Sequence, residues 1–293
     1  MNDTWASFPT NWGRWGDSDE LGAVNFITAQ ARARGVTEAR TGTAVSIARN
    51  TRPAALIPGP AAPIQASSTA VQTAMMFTGS PPAAMAELMV VTTHHPEVTH
   101  LDALGHMVLD GQVYPGIPLA GSSGPAGVRH GAADVYADGI LTRGILLDLA
   151  PGGSLPAAYP VTAADLDAAA AREGVSVLSG DALIVRGGWD WVAERERPLP
   201  GITEDAVRWM YDHEVAIYAG DIGDARPPIQ GHIPGALHML ALGRLGIPLI
   251  DGADPSALAD TCARQGRHTF LFIAAAPRIT GMTGLPVNPL AIF

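Results

Sequence analysis

Residues 144–276 alternate between short apolar runs and helical patterns with recognisable caps. That alternation restricts the possible folds more than any other feature of the chain. The runs at 144–150 and 182–186 are apolar at nearly every position, as strands buried on both faces are. Strand-like runs return at 215–218 and 269–276. Between them lie helical patterns at 162–172 and 203–213, each opened by a threonine suited to an N-cap. Two more cover 238–245 and 255–265, the latter preceded by Asp254. Strands alternating with helices define an α/β protein. No internal repeat or linker interrupts the chain, so a single domain over 1–293 is expected, with 1–44 as an N-terminal extension packing near the site. Within the extension, Asp17 or Ser18 is expected to cap a helix running toward Arg34. Short strands are expected at 45–48 and 89–93. Residues 53–83, which carry Pro53, Pro58, Pro60, Pro63, Pro81 and Pro82, read as one long functional loop.

Composition removes several function classes. All 18 cationic residues are arginine, and without a lysine there is no Schiff-base, pyridoxal-phosphate or P-loop chemistry. A net charge of −10 argues against a nucleic-acid partner, which needs basic surface to displace counterions from phosphates. The single cysteine, Cys262, excludes an intrachain disulfide and a multi-cysteine zinc site. No apolar run approaches the ~18 residues of a membrane helix, and the first residues carry no signal-peptide pattern. A cytoplasmic protein acting on a small molecule, with no membrane partner, is the expectation.

The chemistry concentrates around residue 100. Four of the nine histidines, His94, His95, His100 and His106, fall within thirteen residues. On an extended chain His100 and Asp102 point to the same side. If the chain turns into a helix after Asp102, His106 comes round toward the same point. Imidazole and carboxylate converging in this way suit one divalent ion such as Zn²⁺ or Mn²⁺. His106 is then either a further ligand or a base beside the ion. Trp15, Met75, Met76 and Phe77 are apolar candidates for a pocket wall, with Trp15 and Phe77 taken as substrate-binding. His130, His213, His232 and His268 lack an acid at ligand spacing and read as structural. Asp221 ends a strand, where α/β sites often lie, and serves equally well as a turn former.

The string 99–106, Thr-His-Leu-Asp-Ala-Leu-Gly-His, resembles the signature of the cyclase family that includes bacterial kynurenine formamidase and isatin hydrolase. The segments 11–25, 110–114, 180–189 and 284–292 resemble corresponding strings of its longer members, so the likeness spans nearly the whole chain. It implies a swivelling β/β/α fold, a homodimer or higher homo-oligomer, and a metal-dependent hydrolase of amide, formamide or lactam C–N bonds. It also implies roles for His238, on a helix, and Asp251, after the next strand. The studied hydrolases keep a metal-binding histidine four residues before the one matching His100, and here that position is Pro96. His94 or His95 must substitute, and His94 shares parity with His100 and Asp102. A cyclase, dehydratase or lactonase on the same scaffold, or a binding protein without catalysis, are the alternatives.

Overall fold

The computed structural model describes residues 7–56 and 70–293. Nine strands form a curled mixed sheet. In chain order they are β1 (Ala44–Ser46), β4 (His100–Asp102), β5 (Ile140–Asp148), β6 (Ala182–Arg186), β7 (Ile217–Gly220), β8 (Leu249–Asp251), β9 (Thr269–Ala274), β10 (Gly284–Pro286) and β11 (Leu290–Ile292). A separate ribbon contains β2 (Val71–Thr78) and β3 (Ala84–Val91). Across the main sheet the order is β1-β11-β9-β5-β6-β7-β8-β4-β10. The central strands β5, β6, β7 and β8 are parallel. The flanking pairs are antiparallel, including β4 against both β8 and β10.

The apolar runs are strands because both faces of the sheet are covered. Ile145, Leu147, Leu183 and Val185 join one core with the helices α2 (Ala163–Glu173) and α3 (Glu204–Asp212). The alternate residues Leu146 and Ile184 join a second core with the helix α4 (Ser256–Gln265). Thr162 caps α2 through a capping box with Asp165, as its sequence predicts. Thr203 stands at the N-cap of α3, but its hydroxyl donates to the Val161 carbonyl instead of capping. The 238–245 pattern forms a π-helix over Leu237–Leu242. Among the described residues no helix is long and apolar enough to cross a membrane.

Two sequence-based expectations need correction. The 53–83 stretch is not one loop, because residues 71–78 form β2 and pair along their length with β3. Val71, Thr73 and Phe77 favour a pleated strand, while Pro81 and Pro82 sit at the ribbon's turn. Pro58, Pro60 and Pro63 lie outside the described residues. Nor does one helix run from Asp17 or Ser18 to Arg34. A 3₁₀ turn over Gly22–Phe26 precedes the helix α1 (Ala29–Val36), which Thr28 caps by accepting from the Ala31 N–H. Gly22 imposes the break: its φ is +59°, and a Cβ there would lie 2.1 Å from the Gly246 carbonyl oxygen.

The N-terminal segment packs behind the π-helix and does not line the cavity described below. Trp12 and Asn11 donate side-chain hydrogen bonds to the carbonyls of Gly243 and Leu245. On the opposite side, the loop after β7 is pinned by Asp221. Its buried carboxylate accepts from the backbone N–H groups of Gly187, Gly188 and Trp189 at 2.6, 2.8 and 3.0 Å. Burial pushes this carboxyl up to about 6, with the three donors opposing the rise. Asp221 is therefore a structural anchor, the plainer of the two roles open to an acid at a strand end. Asp221→Ala should orphan three buried donors and cost about 3 kcal/mol or more, read from the midpoint of urea unfolding. A loss within experimental error would show that water replaces the carboxylate at no cost.

Candidate metal centre

β7 and β8 deliver their carboxyl ends to one side of the sheet, the side on which open α/β sheets bind ligands. Asp224 follows β7, the π-helix carries His238, and Asp251 closes β8. β4 is inserted beside β8, with His100 opposite Asp251. Leu101 enters the second core, while His100 and Asp102 face a cavity of about 320 Å³. His94 and His106, the latter ending a 3₁₀ turn over Leu104–His106, complete the same wall.

Asp102 is fully buried, and the groups nearest its carboxylate are all imidazole nitrogens. Around it, His94 Nδ1 lies at 2.7 Å, His100 Nε2 at 3.4 Å and His238 Nε2 at 3.6 Å. His238 Nε2 is also 3.8 Å from Asp251. Hydrogen bonds on the far side of two rings fix what these nitrogens offer. His100 Nδ1 donates to the Val98 carbonyl at 2.8 Å, and His238 Nδ1 donates to the Asp224 carboxylate at 2.7 Å. In the neutral rings both Nε2 atoms therefore turn lone pairs toward a buried anion. A neutral His94 can donate from Nδ1 to the carboxylate at 2.7 Å, but the lone pairs of the other two rings call for a cation or added protons.

The donor set fits a metal. Ligand atoms about 2.1 Å from one tetrahedral ion stand about 3–3.5 Å apart, which the spacings around Asp102 bracket. His94, His100 and Asp102 form one possible ligand triad, and Asp102, His106 and His238 a second that shares the carboxylate. The partners of His100 and His238 are of the kind that orient metal-binding imidazoles.

Electrostatics describe the same cluster in its metal-free state. Burial opposes ionisation of Asp102, but His100, His238 and His94 around it hold its carboxyl well below the usual range. Burial likewise opposes charge on His238, yet Asp102 and Asp224 outweigh it and push the imidazole up to about 11. His100 is raised because Asp102 outweighs its burial. Burial lowers His106 to about 4, so it is neutral at ordinary pH. Burial raises the Asp251 carboxyl, with His238 opposing.

The structure brings His94, His100, Asp102, His106, His238 and Asp251 into one cavity. His94 arrives from a turn rather than from strand parity: the Val98 N–H bonds the His95 carbonyl and the His95 N–H bonds Thr92. His95 is held within that turn, accepting from the Glu97 N–H at 3.2 Å. Trp15 and Phe77 do not line the cavity. Trp15 packs edge-to-face on Phe26 with centroids 5.0 Å apart, and Phe77 is exposed on the ribbon. Asp224, Trp191, Arg226 and Gly284 are site features that no local pattern in the sequence singles out. A Cβ on Gly284 would lie 2.6 Å from the His94 ring, so this glycine on β10 leaves the space that His94 fills.

Fold and site together define an α/β protein with a His/Asp cluster suited to a divalent ion. The cyclase family model matches residues 28–225, and the chain belongs to that family. A crystal structure described as a novel cyclase superposes with a TM-score of 0.80 at 28% identity, covering 97% of this chain and 99% of its own. Isatin hydrolase A from Labrenzia aggregata, bound to benzyl benzoate, shares the fold at a TM-score of 0.59 and 17% identity, covering 85% and 93% of the two chains. An isatin hydrolase bound to the product analogue thioisatinate gives 0.58 and 18%, covering 91% and 99%. No curated protein matches the sequence.

His94→Ala should lower Zn²⁺ or Mn²⁺ affinity by more than the roughly 10–100-fold typical of changes to residues behind the ligands, while His95→Ala leaves it unchanged. Gly284→Ala, which crowds the His94 ring, should lower affinity in the same direction. Chelator competition measures all three, and equal affinities across the set would remove His94 from the shell.

Proposed function

We propose that the protein is a metal-dependent hydrolase that cleaves an amide, formamide or lactam C–N bond in a small substrate, such as one bearing an aromatic ring. The observation that carries this reading is the buried carboxylate of Asp102 ringed by His94 Nδ1 and the Nε2 atoms of His100 and His238. Membership of the cyclase family and the fold shared with isatin hydrolases support the choice of a hydrolytic C–N reaction.

His94, His100 and Asp102 would hold the ion, Mn²⁺ or Zn²⁺ by donor type. When bound, such an ion supplies Lewis-acid polarisation of a carbonyl and a more acidic water. The remaining groups manage protons. His106, neutral and lining the cavity beside His94 with ring centroids 4.0 Å apart, accepts one. His238, held by Asp224 with its Nε2 toward the cavity, hands a proton to the leaving nitrogen. Asp251 lines the cavity 3.8 Å from His238 Nε2 and adds negative charge that favours its protonated form. The family's homo-oligomeric habit is part of the proposal, supported by the exposed apolar ribbon bearing Met75, Phe77, Met85 and Met89.

Purified protein should carry about one divalent ion per chain by elemental analysis, and should hydrolyse isatin or N-formylkynurenine in a chelator-sensitive reaction. His106→Ala should keep the ion and slow turnover about 10²–10⁴-fold. A variant that instead loses its metal would make His106 a ligand and leave His238 as the proton-transfer group. Metal-free protein with undiminished turnover would refute the proposal.

A further inference from the structure

The wall of the cavity opposite β4 is built from Trp191, Asp224 and Arg226. Its backbone is pinned from both sides. Asp221 holds the 187–189 turn, the Ile202 N–H donates to the Gly223 carbonyl at 2.9 Å, and the Leu199 N–H donates to the Arg226 carbonyl at 2.7 Å. Gly201 lies so close that a Cβ there would stand 2.2 Å from the Ala225 nitrogen. Trp191 is fixed in turn: its indole N–H donates to the Asp221 carbonyl, and its ring edge occupies the place of a Cβ on Gly223, 2.3 Å away. The wall therefore presents the fringe of a fixed, largely buried indole with an arginine beside it.

Arg226 is the one arginine that lines this cavity; it is exposed, and among the described residues its side chain makes no ion pair or hydrogen bond. The acids nearby are otherwise engaged. Asp224 accepts from the Leu237 N–H at 2.9 Å and from His238 at 2.7 Å. Asp102 and Asp251 face the histidines. In a chain of net charge −10, an unneutralised guanidinium beside a reactive pocket attracts an anion that the rest of the surface repels. Guanidinium geometry matches a carboxylate with two parallel hydrogen bonds.

We infer that Arg226 is a specificity-determining residue. It receives a carboxylate carried by the substrate away from the scissile bond, while a planar part of the same molecule lies against Trp191. The inference rests on reading this cavity as the catalytic pocket, but its test needs no turnover. Benzoate and its neutral isostere benzamide serve as probes, titrated calorimetrically into wild-type protein, Arg226→Ala, Arg226→Lys and His100→Ala.

Wild type should bind benzoate at least about tenfold more tightly than benzamide, the usual worth of a charge-assisted hydrogen bond. Arg226→Ala should lose that preference with its circular dichroism unchanged, and Arg226→Lys should keep part of it. His100→Ala, which weakens the metal site, should keep the part of it that Arg226 supplies. Retained preference in Arg226→Ala, its loss in His100→Ala, or its absence in wild type would each overturn the inference. The hydrolase reading is judged by metal content and turnover, so either can fail alone.

Discussion

The site is organised around one electrostatic constraint: a fully buried aspartate whose carboxylate has three imidazole nitrogens crowded against it. Burying a bare carboxylate costs several kcal/mol even after relaxation, so the surroundings must supply positive charge. They do so through histidines whose far nitrogens are fixed by Val98 and Asp224. In the absence of metal, protons on His100 and His238 provide that charge, which is why both imidazoles are raised. Binding an ion displaces the proton on His100, so the same cluster couples metal affinity to pH, with affinity rising as pH rises.

The scaffold serves this constraint at several removes. β4 is only three residues long, yet it is clamped antiparallel between β8 and β10, which fixes the orientation of His100 and Asp102. Gly284 on β10 opens the space for His94. The N-terminal segment braces the turn following the π-helix that carries His238. Two aspartates three residues apart divide their labour: Asp221 holds backbone, while Asp224 orients an imidazole.

Much of this was legible in the sequence because the signals were local. The runs 144–150 and 182–186 alternate between two cores, and a strand buried on both faces must be apolar throughout. His100 and Asp102 share a face because side chains alternate along a strand. What stayed hidden depends on long-range contact. The break at Gly22 arises from the Gly246 carbonyl, more than two hundred residues away. The ribbon strand β2 was masked by prolines that mark its turn and flank. Asp224 was overshadowed by Asp221, since no local pattern reveals which of the two meets a histidine fourteen residues on. Strand parity points to His94 for the wrong reason, since a turn delivers it.

The central claim is that Asp102 and the histidines around it form a metal shell rather than a proton-bridged network. Anomalous diffraction from crystals grown with Mn²⁺ or Zn²⁺, recorded on both sides of the metal's absorption edge, tests it directly. The account predicts one peak about 2.0–2.2 Å from His94 Nδ1, His100 Nε2 and an Asp102 oxygen. A map with no peak in the cavity, or with a peak that Asp102 does not touch, would contradict it.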